Sequence, residues 1–422
     1  MLAVFKNRNF TLLWLAGLIS IIGNWVLLAA LPFYVFELTG SAMATAGVFM
    51  AFMAPGIFLG SVAGVFVDRW DYLRTMFMVN LLQLVVVLLL VFVQAAGSSW
   101  IIFAVLFVQS SIAQFFGPAE NALLPKLVEE EQLVAANSLN SMNDNLARLI
   151  GPAIGGLTLA VYGFSSVVLI DAVSFGLAAG LIFVVMVSNT HPEIKVDTID
   201  PELQEKTTTL GGKVKEIWGE WQEGFAVVRG KSILSATFVV IGCALFADAI
   251  ISAILVIFLQ EELGMGSAEF GYIMTARGVG GLLGGLLAGQ FGGLIKPRHM
   301  LSFSLFALSI VILIAVNLTT LPSLLVAMIL GGIPAVAMFI AVQTIFQKNA
   351  PEAFLGRVFG LFQTVLMLLM FLGSGVAGLL GEIVSAFWLL TAGALIYIVA
   401  GLLGLWLMGG QDVLQEKSAL SA

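Results

Sequence analysis

Long apolar runs broken by short polar interruptions dominate the chain. The runs are continuous rather than alternating, so they predict helices and not the strands of a closed barrel. A helix needs roughly 20 apolar residues to cross the hydrocarbon of a bilayer. Segments of that kind cover approximately 10–36, 42–67, 75–96, 100–124, 135–161, 164–188, 233–260, 267–293, 300–317, 321–346, 355–381 and 386–408. The first follows Lys6 and Arg8 and continues to about Phe36. That exceeds the roughly 7–15 residues of a signal-peptide core, so it is predicted to be a retained span. The longest polar segment, 189–232, divides the chain into six spans and six spans. The predicted organisation is a first bundle at 1–188, a cytoplasmic linker at 189–232, a second bundle at 233–408 and a tail at 409–422. Within the linker, Leu210, Val214, Ile217, Trp221, Phe225 and Val228 recur at helical spacing. They predict an amphipathic helix lying along the inner membrane surface.

Composition strengthens the membrane reading. Of 422 residues, 60% are hydrophobic and 10% charged, against about 25% charged in a soluble domain. Lys and Arg then orient the spans. With the N-terminus in the cytoplasm, they gather on the inner segments. The outer loops carry Glu37, Glu261, Glu262 and Glu382 but no Lys or Arg. Both termini are thereby placed in the cytoplasm. The fold class is an all-α membrane protein of twelve transmembrane helices.

Several function classes are set aside by the same inventory. The net charge of −7 argues against a nucleic-acid partner. One cysteine, Cys243, and two distant histidines, His191 and His299, supply no metal-ligand cluster. The "GKS" at 230–232 has Phe225 where a P-loop needs glycine, so ATP binding is not predicted. No Ser/His/Asp set or paired carboxylates converge at one depth, so the chain is not read as an enzyme.

The two halves echo each other. "LGSVAGVFVDRWDYLR" parallels "GGLLAGQFGGLIKPRH": Gly60 matches Gly285, Gly64 matches Gly289, and Arg74 falls beside His299. Asp68 has become Gly293. Two related six-helix halves around a site near the midplane are a plan of secondary transporters.

Ionisable groups inside spans are costly and mark functional candidates. Asp248 and Arg277 lie at similar depths and are predicted to pair, as a structural bridge or as a proton-coupling site. Asp171 is a further coupling candidate, with a pairing or partly solvated role as its alternative. Asp144 and Arg148, at i and i+4, are predicted to form an ion pair in the inner half of the fifth span. Glu120 lies near the inner end of the fourth span, within reach of water or of Arg148.

Particular stretches resemble one family. "GSVAGVFVDRWDYLR" resembles the G-x-x-x-D-R-x-x-R motif of the major facilitator superfamily. "RLIGPAIGGL", with Gly151, Pro152, Gly155 and Gly156, resembles that superfamily's antiporter motif. "QFFGPAENALLPKLVEEEQLVAANSL" and "PEAFLGRVFG" resemble passages of its drug:proton antiporters of the macrolide-efflux and siderophore-exporter type. The resemblance implies two pseudo-symmetric six-helix bundles and a monomer in a bacterial inner membrane. It also implies export of hydrophobic or amphiphilic small molecules, driven by the proton gradient without a cofactor. The runner-up readings are a lipid or lysolipid flippase of the same fold and a non-transporting sensor or scaffold.

The resemblance also places residues. It implies a cavity lined from the first, fourth, seventh and tenth spans, with Asn24, Trp25, Gln109, Gln114, Phe246, Met338 and Gln343 as candidates. It implies a conformational latch in which Asp68, following Gly64, faces the helix start near Arg357. Arg69 and Arg74 would then pair with Asp71 or with lipid phosphate. The chain departs from the family in lacking a helix 4 arginine, with Glu120 the nearest charge. It also has Asn24 where an acid is frequent.

Overall fold

The computed structural model describes residues 2–67, 70–93, 95–188 and 210–420, and every element among them is helical. The helices are α1 (Arg8–Thr39), α2 (Ala42–Val67), α3 (Tyr72–Leu88), α4 (Trp100–Ala113), α5 (Phe116–Leu127), α6 (Leu133–Tyr162) and α7 (Phe164–Val187). They continue as α8 (Leu210–Gly230), α9 (Ser232–Ile257), α10 (Ser267–Phe291), α11 (Pro297–Ala315), α12 (Leu321–Asn349), α13 (Leu355–Gly381) and α14 (Ala386–Leu420). Each expected span coincides with helix, and α8 falls on the predicted amphipathic segment. Among the described residues, 10 helices are long and apolar enough to cross a membrane. Of the twelve expected spans, the two outside that set are those of α6 and α10. Asn137, Asn140, Asn143, Asp144, Asn145 and Arg148 dilute α6, and glycines with Glu269 and Arg277 dilute α10.

Local chemistry explains the boundaries. Asp71 caps α3, its Oδ1 accepting from the Arg74 N–H at 2.8 Å. α6 stops at Gly163, whose φ of 77° is open to glycine at little cost. The predicted fourth span is broken into α4 and α5 at Gln114–Phe115. Pro118 has no N–H for the Gln114 carbonyl and its ring crowds that oxygen, so the ladder is interrupted there.

Two compact units emerge: Met1–Tyr34 with Ala51–Gly219, and Val35–Met50 with Glu220–Ala422. In the first, Leu13, Val67, Met76, Leu123 and Ile182 form a buried core. The α1–α6 crossing there is close. A Cβ on Gly151 would lie 2.4 Å from Trp25 Cβ, and one on Gly155 would lie 2.3 Å from the Val26 carbonyl oxygen. The antiporter-like glycines therefore serve an approach to α1, with Pro152 and Gly156 buried beside them.

In the second unit α10 and α12 cross as tightly. A Cβ on Gly280 would lie 2.0 Å from the Ile329 oxygen, and one on Gly332 would lie 2.2 Å from the Arg277 oxygen. The start of α2 belongs to this unit. Glu382 Oε1 accepts from Ser41 Oγ at 2.7 Å and from the Met43 N–H at 3.0 Å. Those bonds hold its carboxyl below the usual glutamate range, as suits an anion at a helix start.

Candidate functional site

The second unit gathers one cluster of ionisable groups from three helices. α9 presents Asp248, α10 presents Arg277 and α14 presents Tyr397. Arg277 Nη2 donates to Asp248 Oδ1 at 3.1 Å, and Tyr397 Oη donates to the same oxygen at 3.0 Å. Both bonds fall on Oδ1. Among the described residues, neither of these bonds falls on Oδ2. Tyr397 is 1% exposed, whereas the Arg277 and Asp248 side chains are 34% and 24% exposed. The α10–α12 crossing sets the placement of Arg277, since its own carbonyl lies against Gly332. The predicted Asp248–Arg277 pair is thus formed, and Tyr397 is the member that sequence reasoning missed. The available signal was a tyrosine in mid-span, whose hydroxyl needs a partner when buried.

A second acid lies in the first unit. Asp171 on α7 is fully buried, which rules out the partly solvated role because neighbouring helices close over it. Gln109 Nε2 donates to its Oδ2 at 3.4 Å, and Gln83 Nε2 reaches the Gln109 carbonyl at 3.4 Å. Oδ1 has no partner. α1 approaches at Gly23, where a Cβ would lie 2.0 Å from Ser174 Oγ and 2.7 Å from Asp171 Oδ1. Gln109, predicted to line a cavity, is instead buried beside an acid. Gln114 turns back onto its own helix, donating to the Ser110 carbonyl at 3.3 Å.

Other candidates are placed separately. Arg148 lies over the Trp25 ring at 5.1 Å. Among the described residues it does not close to an ion pair with Asp144, so the i, i+4 expectation gives way to a cation–π contact. Asn24 and Phe246 are half-buried, Met338 is buried and Gln343 is exposed. The Phe246 backbone packs on α13, where a Cβ at Gly373 would meet its carbonyl at 2.7 Å.

Of the 64–74 stretch, Asp68 and Arg69 lie outside the described residues. Gly64 has open space around its Cβ position. Asp71 caps the helix through its Oδ1, and among the described residues it makes no ion pair with the Arg74 side chain. Arg357 pairs with Glu223 of α8 at 2.6 Å and lies over the Phe354 ring at 5.1 Å. The α8–α13 approach is close, for a Cβ on Gly224 would sit 3.1 Å from the Arg357 carbonyl oxygen. Nothing in its apolar spacing marked Glu223 as a partner.

Comparison with known proteins places this geometry in a family. A family model described as transmembrane secretion effector matches residues 1–412. The chain is 27% identical over 398 residues to Macrolide efflux protein A of Streptococcus pyogenes, covering 93% of this chain and 94% of that protein. It is 26% identical over 291 residues to the Enterobactin exporter EntS of Escherichia coli, covering 66% of this chain and 64% of that one. Its fold is similar to the crystal structure of a bacterial homologue of the iron transporter ferroportin. The TM-score is 0.70 at 18% identity, with 95% of this chain and 98% of that chain covered.

Proposed function

The chain belongs to the transmembrane secretion effector family within the major facilitator superfamily, and from that footing we propose a proton-coupled exporter of hydrophobic or amphiphilic small molecules that works by alternating access. Efflux is supported by relatives named for the export of macrolides and of enterobactin. Those cargoes differ, which favours a loosely defined amphiphilic class over one tightly read ligand.

The observation that carries proton coupling is the Asp248–Arg277–Tyr397 cluster. The ionised carboxylate holds Arg277, and Tyr397 orients it through Oδ1. A proton arriving at Oδ2 cancels the charge and removes the attraction that keeps the guanidinium in place. The conformation in which Arg277 finds another anion, or water, then gains relative to the first. A few kcal/mol suffices to shift such an equilibrium. Export and proton uptake are linked if one access state favours the protonated acid and the other the ion pair.

Proteoliposomes under an imposed pH gradient test this. Wild-type protein is expected to drive an amphiphilic dye against its gradient. Asp248→Asn should abolish the gradient-driven component while leaving gradient-independent counterflow. Dye flux that ignores the pH gradient, or a folded variant with undiminished gradient-driven flux, would sink the coupling role.

A further inference from the structure

Helix α2 is tied to two different parts of the molecule. Its first turns, 42–50, belong to the second compact unit, and its remainder, 51–67, belongs to the first. Hydrogen bonds hold each part separately. At the outer end Glu382, which closes α13, accepts from Ser41 Oγ at 2.7 Å and from the Met43 N–H at 3.0 Å. A carboxylate suits a helix start, where free N–H groups and the dipole favour an anion. Below it, a glycine-lined seam of α13 lies against the same turns. A Cβ on Gly378 would sit 2.8 Å from Met43 Sδ and 2.9 Å from Ala46 Cβ, and one on Gly381 would sit 2.8 Å from Ala42 Cβ. Just past the boundary between the units the attachment changes. Ser110 Oγ of α4 donates to the Phe52 carbonyl at 2.6 Å.

Pro55 stands beside this changeover. It has no N–H to give the Ala51 carbonyl, and its ring crowds that oxygen. The interruption therefore falls on the residue at which the compact units divide. The next carbonyl, of Phe52, accepts from a side chain of another helix, which also loosens a helical ladder. Gly56 follows and weakens the helix further. Flexing α2 here breaks no hydrogen bond from residue 55, because none exists. Parting α2 from α13 would instead break two bonds to a charged acceptor, which are stronger than neutral ones. It would also open the glycine seam. The bend is the weaker link.

We propose that α2 is a hinged helix: turns 42–50 travel with the second unit, 51–67 travel with the first, and the change between access states is absorbed at Ala51–Pro55. This joint serves the alternating-access cycle proposed above, on which its role rests. A rigid α2 would have to slide on α13 or tear loose from it at every turnover. The hinged helix keeps the Glu382 cap and the glycine seam intact in both states. Hinges are a few positions that absorb a backbone change away from the chemistry. Pro55 and Gly56 supply such positions between two anchored stretches.

Spin labels on the purified full-length protein test the joint. The labels go to Ala44→Cys and Phe58→Cys in a Cys243→Ser background. Phe58 is exposed, and Ala44 is half-buried on the face of α2 turned away from Ala42, Met43 and Ala46. In a straight helix the two positions stand about 21 Å apart. The measured separation is expected to be two-peaked, a straight and a bent form. Pro55→Ala, which restores the missing N–H, should collapse it to one narrow peak. A single narrow peak in the labelled parent overturns the hinge, and so does a two-peaked distribution that Pro55→Ala leaves unchanged. Flux supplies a second measure. Ser41→Cys and Glu382→Cys, bridged by a short reducible thiol crosslinker, fasten the outer turns of α2 to α13. Flux of an amphiphilic dye in proteoliposomes is expected to continue undiminished after bridging. Flux that stops on bridging and returns on reduction overturns the hinge and leaves the exporter reading intact. A two-peaked separation in a protein that moves no dye ends the exporter reading and keeps the hinge.

Discussion

Asp171 and Asp248 are the same residue type within a span, and their surroundings differ in counter-ion and in exposure. Asp248 has a guanidinium and a phenol on a single oxygen, on a partly exposed pair. Asp171 is fully buried, has a long bond from Gln109 and keeps one oxygen unpartnered. Asp248 therefore sits where gaining or losing charge changes what a second helix holds. Asp171 sits where close helix packing determines the neighbours. On the proposed reading, an acid within a span becomes a switch through its counter-ion and access, and depth alone does not confer that role.

The largest expected effect falls on the paired site. Arg277→Leu strips Asp248 of its counter-ion. Removing one partner of a fully buried pair costs about 3–5 kcal/mol, and the exposure of this pair reduces that figure. A clear fall in the thermal unfolding midpoint in detergent is expected; an unchanged midpoint would mean the pair is not structural.

An intermediate effect is expected at the packed site. Gly23→Ala would place its Cβ 2.0 Å from Ser174 Oγ, which forces a rotamer change or parts α1 from α7. Overpacking of this kind costs about 1–3 kcal/mol. The same unfolding measurement reads it, and full stability would show that Ser174 and Asp171 repack freely.

The smallest effect is predicted for Asp171→Asn, which keeps the shape and breaks no ion pair. Its stability should change by less than about 1 kcal/mol, and its pH-gradient-driven flux should stay close to wild type. Loss of gradient dependence in that variant would erase the distinction and make Asp171 the coupling acid.

Much of this was legible in one dimension because it depends on local chemistry. Apolar runs of membrane length must become helices, since backbone groups in hydrocarbon have no other partners. The α4–α5 break was equally available in Pro118, yet hydropathy averages across it. The Asp248–Arg277 pair could be read because two charges at matched depth in adjacent spans have few alternatives. Arg148 misled for the opposite reason: i, i+4 spacing allowed Asp144, but Trp25 of another helix offered its ring. The partners of Arg357 and Glu120 were likewise invisible, since Glu223 and Asn140 are polar residues whose directions follow from helix rotation.

The order of residues alone settled that this is a helical membrane protein, where its spans run and which charges are too costly to be accidental, because burial in lipid taxes each residue by its own chemistry. Which oxygen Tyr397 addresses, which helix the Gly151–Gly155 face admits and which acceptors are left without donors were settled by the packing of helices. Those outcomes depend on sub-ångström approach and rotation between segments distant in the chain, and no local pattern encodes them.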